Sequence, residues 1–229
     1  MDTINKVKSI SIWIFIIPFL AINTCLILIT NFHELFPNKE HIIHNTIPYI
    51  DGGASISRTA RVFPTYLIFK PAMFLTAYLL IRYWLYIKKI ILNIHGEHKN
   101  LRKILIFGIG SAICLIIHSI FLGIKFDFQV YKLMRRVVLL LFIIFELIAQ
   151  GMLVYHFFKI KEKLSKFINK KVLIFKALLV SVLSVVAILS LPILLNKGNT
   201  HFKHALEWNY FVGVIMFYLL TRFLWRRTT

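Results

Sequence analysis

The sequence predicts an all-α, polytopic membrane protein: a bundle of six transmembrane helices with both termini in the cytoplasm. Its 229 residues are 59% hydrophobic and only 16% charged, and their mean hydropathy is +0.76, too apolar for an ordinary soluble domain. The apolar residues form blocks of roughly 20 residues, the length that a helix needs to cross a bilayer core of about 30 Å. The blocks do not alternate apolar and polar residues as the strands of a membrane β-barrel do, so helices are predicted.

Six blocks have the required length. The first predicted span is Ile10–Ile29, and a long connection from Asn31 to Pro64 follows it. The other five spans are predicted at Thr65–Ile87, Ile104–Gly123, Val137–Phe158, Val172–Leu195 and Ala205–Leu224. Because no other connection is long, residues 1–229 are predicted to form one six-helix domain without a soluble module.

The distribution of Lys and Arg predicts the orientation of the chain. The formal net charge of +19 would suggest nucleic acid for a soluble protein, but here the basic residues crowd the ends of apolar helices. Lys and Arg are more frequent in the segments predicted on the same side of the membrane as the termini, so the positive-inside rule places both termini in the cytoplasm. Arg135 and Arg136 are an exception on the predicted outer side. The expected partners are membrane lipids or another membrane protein rather than nucleic acid, and the short loops favour a bacterial inner membrane.

The predicted outer loop contains strong turn signals. Pro48 fixes one backbone angle, and Asp51-Gly52-Gly53 is typical turn chemistry, so the loop is predicted to have a defined shape. Asp51 and Arg58 are candidates for contact with a lipid headgroup or with each other. The alternative is that Asp51 caps a turn while Arg58 anchors at the membrane interface.

Two patches of sequence resemble a known family. The stretch Ile47–Gly53, followed by Arg58 and by Phe63 at the start of an apolar helix, resembles the outer loop of the FGF-receptor-activating-protein and damage-regulated-autophagy-modulator (DRAM-like) family, which includes a GPI-anchor remodelling factor. Leu206-Glu207-Trp208 resembles the start of that family's last span. The resemblance implies six spans and a role in membrane lipid or lipid-anchor handling or in membrane organisation. The remodelling branch carries a His about three turns after this Glu, where the present chain has Tyr218.

Polar residues inside the predicted spans are candidate substrate-binding groups, because a charge deep in a bilayer costs about 2.5–3.5 kcal/mol on insertion scales. Lys70 and His118 are predicted at a similar depth below the outer surface, and Glu146 lies near the midplane with Gln150 one turn further on the same face. Together they are predicted to form a polar pocket under the outer loop. The alternative is that Lys70 extends to the headgroups while Glu146 is protonated and bonds to a neighbouring helix.

The remaining polar motifs are less specific. Glu207 is a candidate for substrate binding, although a carboxylate in the first turn of a helix is also stabilised by the helix dipole. Three pairs of histidines have a spacing that suits a metal ion on a helix, namely His41 with His44, His95 with His98, and His201 with His204. Neither a cysteine cluster nor a carboxylate cluster accompanies them, so no metal and no cofactor are predicted.

The sequence leaves three classes of function open. It contains no nucleophile elbow, no phosphate-binding glycine-rich loop and no His-Glu-x-x-His motif, so it gives no support to an enzyme. A protein that binds or handles lipids is the leading prediction, and a small-solute permease and a non-catalytic membrane scaffold are the alternatives. Loss of activity in a Glu146→Gln variant would disfavour the scaffold.

Overall fold

The structure, a computed structural model, describes residues 2–96, 99–124, 128–165, 167–196 and 198–226. The predicted all-α class is confirmed, since these residues contain α-helices and two short 3-10 turns but no β-strand. His98 of the second histidine pair lies outside the described residues. The α-helices are α1 (Asp2–Asn31), α2 (Ile56–Ala60), α3 (Tyr66–His95), α4 (Lys99–Phe121), α5 (Gln129–Lys159), α6 (Lys170–Leu195) and α7 (Thr200–Leu224).

A long helix coincides with each predicted span, and most of these helices extend beyond the span that they contain. Helix α3 continues to His95 and α5 already begins at Gln129, because polar residues beyond an apolar block still form helical hydrogen bonds. Helix α4 ends at Phe121, two residues before the predicted end of its span. Gly123 follows with a φ of +85°, a left-handed conformation that commonly terminates helices.

The six long helices close into a ring in the order of the sequence. Each packs against the long helix that precedes it and the one that follows it, and α7 packs back against α1. Large aromatic side chains fill the interior, among them Trp84 on α3 and Trp208 and Phe217 on α7. A side chain at Gly108 of α4 would overlap the Trp84 indole, so this glycine lets α3 and α4 approach closely.

Four of the long helices, α1, α4, α5 and α6, are long and apolar enough to cross a membrane. The other two, α3 and α7, are not among these candidate spans. Arg82 on α3 bonds to the hydroxyl groups of Tyr78 and Tyr86, and α7 begins with His201, Lys203 and His204. The described residues are therefore those of an all-helical protein with four candidate membrane spans in a ring of six long helices.

The connection between α1 and α3 folds over one end of the ring, and residues 32–65 are called the cap below. The cap contains the 3-10 turns His33–Leu35 and Lys39–His41 and the short helix α2. Ser55 caps α2, because its hydroxyl accepts a hydrogen bond of 3.1 Å from the Arg58 backbone N–H. The small apolar core under the cap consists of Ile29, Phe36, Ile43, Ala54 and Val62.

Candidate functional site

Glu146, near the middle of α5, is fully buried and bonds to three side chains. The Ser111 hydroxyl on α4 lies 2.6 Å from its Oε2, and the Gln150 amide donates a bond of 2.9 Å to its Oε1. The Tyr218 hydroxyl on α7 donates to the same Oε1. Donors from three helices therefore offset the desolvation of this carboxyl group.

Further polar groups extend from Tyr218 towards the end of the ring opposite the cap. Its ring packs edge-on against the Tyr83 ring on α3, with centroids 4.9 Å apart, and the Tyr83 hydroxyl lies 3.3 Å from the Thr221 hydroxyl. Lys176 on α6 donates a hydrogen bond of 2.5 Å to Thr221 Oγ1. The Lys176 Nζ also lies 3.6 Å from the centroid of the Phe217 ring.

These groups form one buried polar chain that draws on the five helices α3 to α7. A carboxyl group lies at one end and an amino group at the other, with hydroxyl groups between them. No carboxylate of the described residues lies within ion-pair distance of Lys176. The buried polar chain consists of Ser111, Glu146, Gln150, Tyr218, Tyr83, Thr221 and Lys176.

A narrow cavity reaches Glu146 from within the ring. Its volume is about 20 Å³, enough for one water molecule, which needs about 10–15 Å³. Apart from Glu146, Tyr218 and Thr76, apolar side chains of α1, α3, α4, α5 and α7 line it, among them Pro18 and Phe211. Glu146 therefore lies between a cavity and the rest of the buried polar chain.

The four intramembrane candidates do not all meet in this cavity. Glu146 and Gln150 bond to each other, as their spacing on one helix face allows. Lys70 instead donates a bond of 3.3 Å to the carbonyl of Ile120 in the last turn of α4, a favourable place for a cation. His118 is buried, and among the described residues its Nδ1 has no hydrogen-bond partner. Only Glu146 of these four lines the cavity.

The cap is held on α7 by a row of hydrogen bonds to its backbone carbonyls. Trp208 Nε1 donates to the carbonyl of Ala54 at 2.8 Å, and the Asn209 amide donates to that of Tyr49 at 2.8 Å. The His204 ring bonds to the Gly52 carbonyl at 3.0 Å, and the His201 ring bonds to the carbonyl of Asp51 at 3.1 Å. Side chains in the first turns of α7 thus bind backbone carbonyls of the cap. Two of them, His201 and His204, were considered as metal ligands from the sequence.

Glu207 and Gly52 complete the docking of the cap. The Glu207 carboxyl group interacts with the backbone N–H groups of Ile56 and Ser57, at the N-terminus of α2. Gly52 has a φ of +63°, and a Cβ at this position would overlap the backbone of His201. Glycine is therefore required at position 52 both for its backbone angle and for the close approach of α7.

Asp51 organises the turn at the tip of the cap. Its carboxylate accepts hydrogen bonds from the Thr46 hydroxyl at 2.7 Å, the Ile47 N–H at 2.7 Å and the Gly53 N–H at 2.8 Å. These donors, led by the Thr46 hydroxyl, lower the pKa of Asp51 below its ordinary value. Pro48 lies inside the turn that these bonds close. Arg58 is exposed on α2 and lines a separate cavity with residues of the cap.

The buried polar chain contains residues that the sequence analysis did not select. Lys176 was the clearest omission, since it lies inside an apolar span just as Lys70 does, and the same criterion would have found it. Tyr218 was noted only as a departure from the family pattern. Nothing in the sequence distinguishes Ser111, Tyr83 or Thr221 from other hydroxyl residues of apolar helices, because only the packing of the helices brings them to Glu146 and Lys176.

The fold and the site together define a polytopic all-helical membrane protein with a structured cap and a buried polar chain. Comparison of the chain with protein-family models, with curated proteins and with solved structures finds no match.

Proposed function

We propose that this is a six-span membrane protein of the DRAM-like type that handles membrane lipids or lipid anchors at its capped face. The observation that carries the proposal is the contact between the two patches that resemble this family. The stretch Ile47–Gly53 and the segment Leu206–Trp208 are far apart in sequence but adjoin in space, where the Tyr49 and Trp208 rings pack edge-on with centroids 5.0 Å apart. Because the two matching patches form one surface, they support a common functional region better than two patches far apart in space would.

The arrangement of the helices supports six spans. Helix α3 packs between α1 and α4, and α7 packs between α6 and α1, so both lie in the same ring as the four apolar helices. Under the positive-inside rule the termini are cytoplasmic and the cap faces outward, and the proposed location is a bacterial inner membrane. In this orientation the cap and the ends of α3, α4 and α7 face the outer headgroups.

The test is untargeted lipid mass spectrometry on cells that lack the gene, complemented with the wild type, with Glu207→Ala or with Glu34→Ala. Glu207→Ala removes the carboxyl group of α7 that interacts with the start of α2, whereas Glu34 is an exposed carboxylate of the cap and serves as the matched control. The proposal expects a lipid change that the wild type and Glu34→Ala restore and Glu207→Ala does not. The amounts of each variant in the membrane are compared by immunoblot, so that loss of the protein is not mistaken for loss of function.

An unchanged lipid profile in cells without the gene would contradict lipid handling. A change restored equally by Glu207→Ala would place the activity away from the docked cap. In a further complementation, Glu146→Gln keeps the shape of the side chain and removes its charge. A lipid change that Glu146→Gln fails to restore would assign the buried polar chain to the same activity and would disfavour a scaffold.

A proton-coupled permease is the second candidate, and the buried polar chain favours it. Titratable and hydroxyl groups extend from the cavity at Glu146 to Lys176 on α6, towards the end of the ring opposite the cap. Liposomes that contain the protein and a pH-sensitive dye would report proton movement under a pH gradient. The permease predicts a flux that Glu146→Gln abolishes, and equal rates in empty liposomes would rule against it.

A further inference from the structure

Three arginines gather where the cap meets the start of α5. Arg58 and Arg61 line a cavity of about 300 Å³ together with Glu40, His41 and Val62. Arg135 on α5 lies outside this lining. Its guanidinium group lies 5.9 Å from the centroid of the Tyr131 ring, and the Tyr131 hydroxyl donates a bond of 3.1 Å to the carbonyl of Ile124, in the connection that follows α4. Burial, followed by the neighbouring guanidinium groups of Arg135 and then Arg58, lowers the pKa of Arg61. The guanidinium groups of Arg58 and Arg135 therefore lie close enough to Arg61 for their charges to act on it.

The fold imposes this arrangement. Arg58 lies in α2 and Arg61 directly follows that helix, so both extend from the part of the cap that α7 holds in place. The connection after α4 comes up against the same point, because a Cβ at Gly123 would lie 2.8 Å from the Arg61 carbonyl oxygen. Helix α5 begins shortly after this connection and carries Arg135. Three separate segments are thus required to bring the arginines together.

Among the described residues, these arginines form no ion pair. Within the described ranges, no carboxylate lies within ion-pair distance of Arg58, Arg61 or Arg135, although Glu40 lines the same cavity. The Nε of Arg135 is buried and has no hydrogen-bond partner in this part of the chain. Like charges placed together without a counter-ion repel one another, and an unpartnered buried donor is unfavourable, so the cluster is suited to an anion.

We propose that Arg58, Arg61 and Arg135 bind the phosphate group of an anionic ligand, and that this group belongs to the headgroup of an anionic phospholipid. The inference rests on the proposed function, to which it adds the class of lipid. Guanidinium groups bind phosphate oxygens through pairs of parallel hydrogen bonds, which makes arginine the favoured residue for this chemistry. A cavity of about 300 Å³ is at the small end of the range for ligand pockets, which suits a headgroup.

The same site accounts for an exception in the charge pattern. In the proposed orientation Arg135 lies on the outer side, where the positive-inside rule disfavours basic residues. Lys70 bonds to the end of α4 close to this connection, and Arg135 interacts electrostatically with His118. Several basic residues on this side, among them Arg61, Lys70 and Arg135, thus lie near one place in the fold, which a ligand with negative charge explains.

The test is isothermal titration calorimetry on the full-length protein in a zwitterionic detergent. The probes are dihexanoyl phosphatidylglycerol, dihexanoyl phosphatidylcholine and inorganic phosphate. The expected result is binding of phosphatidylglycerol that Arg61→Gln/Arg135→Gln weakens about tenfold or more, since two charge-assisted contacts are lost. Arg136→Gln is the matched control, because it removes an exposed positive charge one residue away, and it should change the Kd by less than about twofold.

Thermal unfolding of each variant shows whether it is folded. If Arg61→Gln/Arg135→Gln does not fold, Arg61→Lys/Arg135→Lys is tested instead. This variant keeps both charges and removes the paired donors, so it should still weaken binding severalfold. Binding of inorganic phosphate with the same dependence on Arg61 and Arg135 would support the phosphate site and assign it to a free anion. Equal binding of both lipids, or equal weakening by Arg136→Gln, would overturn the proposal.

Failure of this site and failure of the proposed function give different results. A cellular lipid change with no binding of phosphatidylglycerol in the calorimeter would overturn the headgroup site and leave lipid handling in place. Binding that depends on Arg61 and Arg135, together with an unchanged cellular lipid profile, would support the site and contradict lipid handling.

Discussion

The hydroxyl group of Tyr218 on α7 donates a hydrogen bond to the buried carboxyl group of Glu146 on α5, 72 residues away in the sequence. The bond crosses the interior of the ring beside the narrow cavity that both residues line. Ser111 and Gln150 bind the same carboxyl group from other directions. The hydrogen bonding of the Glu146 carboxyl group therefore depends on the packing of α7 against α5. Changes on either helix should affect both the stability of the protein and the hydrogen bonds of Glu146.

Tyr218→Phe is expected to lower the free energy of unfolding by about 1.5–3 kcal/mol, because it leaves a buried carboxyl group with one donor fewer. The measurement is unfolding of the purified protein in mixed micelles. Tyr210→Phe is the matched control on the same helix, since the buried Tyr210 hydroxyl has no hydrogen-bond partner among the described residues, and its removal should be neutral or slightly stabilising. Equal losses in the two variants would show that the bond to Glu146 contributes little.

Lys176→Met is expected to leave stability unchanged or to raise it by about 1 kcal/mol, because a buried amino group without a carboxylate partner is replaced by an apolar side chain of similar length. Lys176→Ala should lower stability by about 2–3 kcal/mol, since it leaves a cavity beside Phe217. Both are compared by thermal unfolding in the same detergent. A large loss in Lys176→Met would mean that the bond to Thr221 stabilises the fold more than burial of the amino group destabilises it.

Gly52→Ala is expected to detach the cap from α7, because the added methyl group overlaps the His201 backbone as well as straining a φ of +63°. Gly96→Ala is the control, since Gly96 has a φ of +79° but no atom within 4 Å of the position of its Cβ. The control should lose only the roughly 1 kcal/mol of backbone strain. Limited proteolysis of the cap distinguishes the two variants, and equal rates of cleavage would show that the overlap is relieved by a small shift of α7.

The stability of the turn at Asp51 should depend on pH in the acidic range. Its folded-state pKa is lowered by the three donors, so the stabilisation is fully present above the ordinary Asp value of 3.8 and is lost as the pH falls through the lowered folded-state value. Proteolysis of the cap by an acid-active protease should therefore rise over this range in the wild type. Asp51→Asn should be cleaved faster at neutral pH and should show little further increase in acid, and an unchanged pH dependence would assign the effect to another group.

Several features could be predicted from residues alone. The positions of the six long helices follow from the length of the apolar blocks, since a helix is the local structure that satisfies its backbone without neighbours. The pairing of Glu146 with Gln150 follows from their spacing on one helix, and the turn at Asp51-Gly52-Gly53 follows from local chemistry. The polar pocket under the outer loop was predicted from depth alone, and depth does not specify which helix faces meet. Lys70 accordingly bonds to the end of α4, and Tyr218 and Ser111 bond to Glu146.

What the sequence determined by itself about this protein is its class, namely an all-helical protein with apolar helices of membrane-spanning length, because hydropathy and helix length are local properties of the chain. Only the tertiary structure decided which polar groups meet. The ring of helices joins Glu146 to Tyr218, the docking of the cap brings Glu207 to α2, and the packing of the cap on the end of α4 brings Arg61 to Gly123. Each of these contacts depends on the relative rotation and position of segments distant in sequence, which the packing of the whole chain sets.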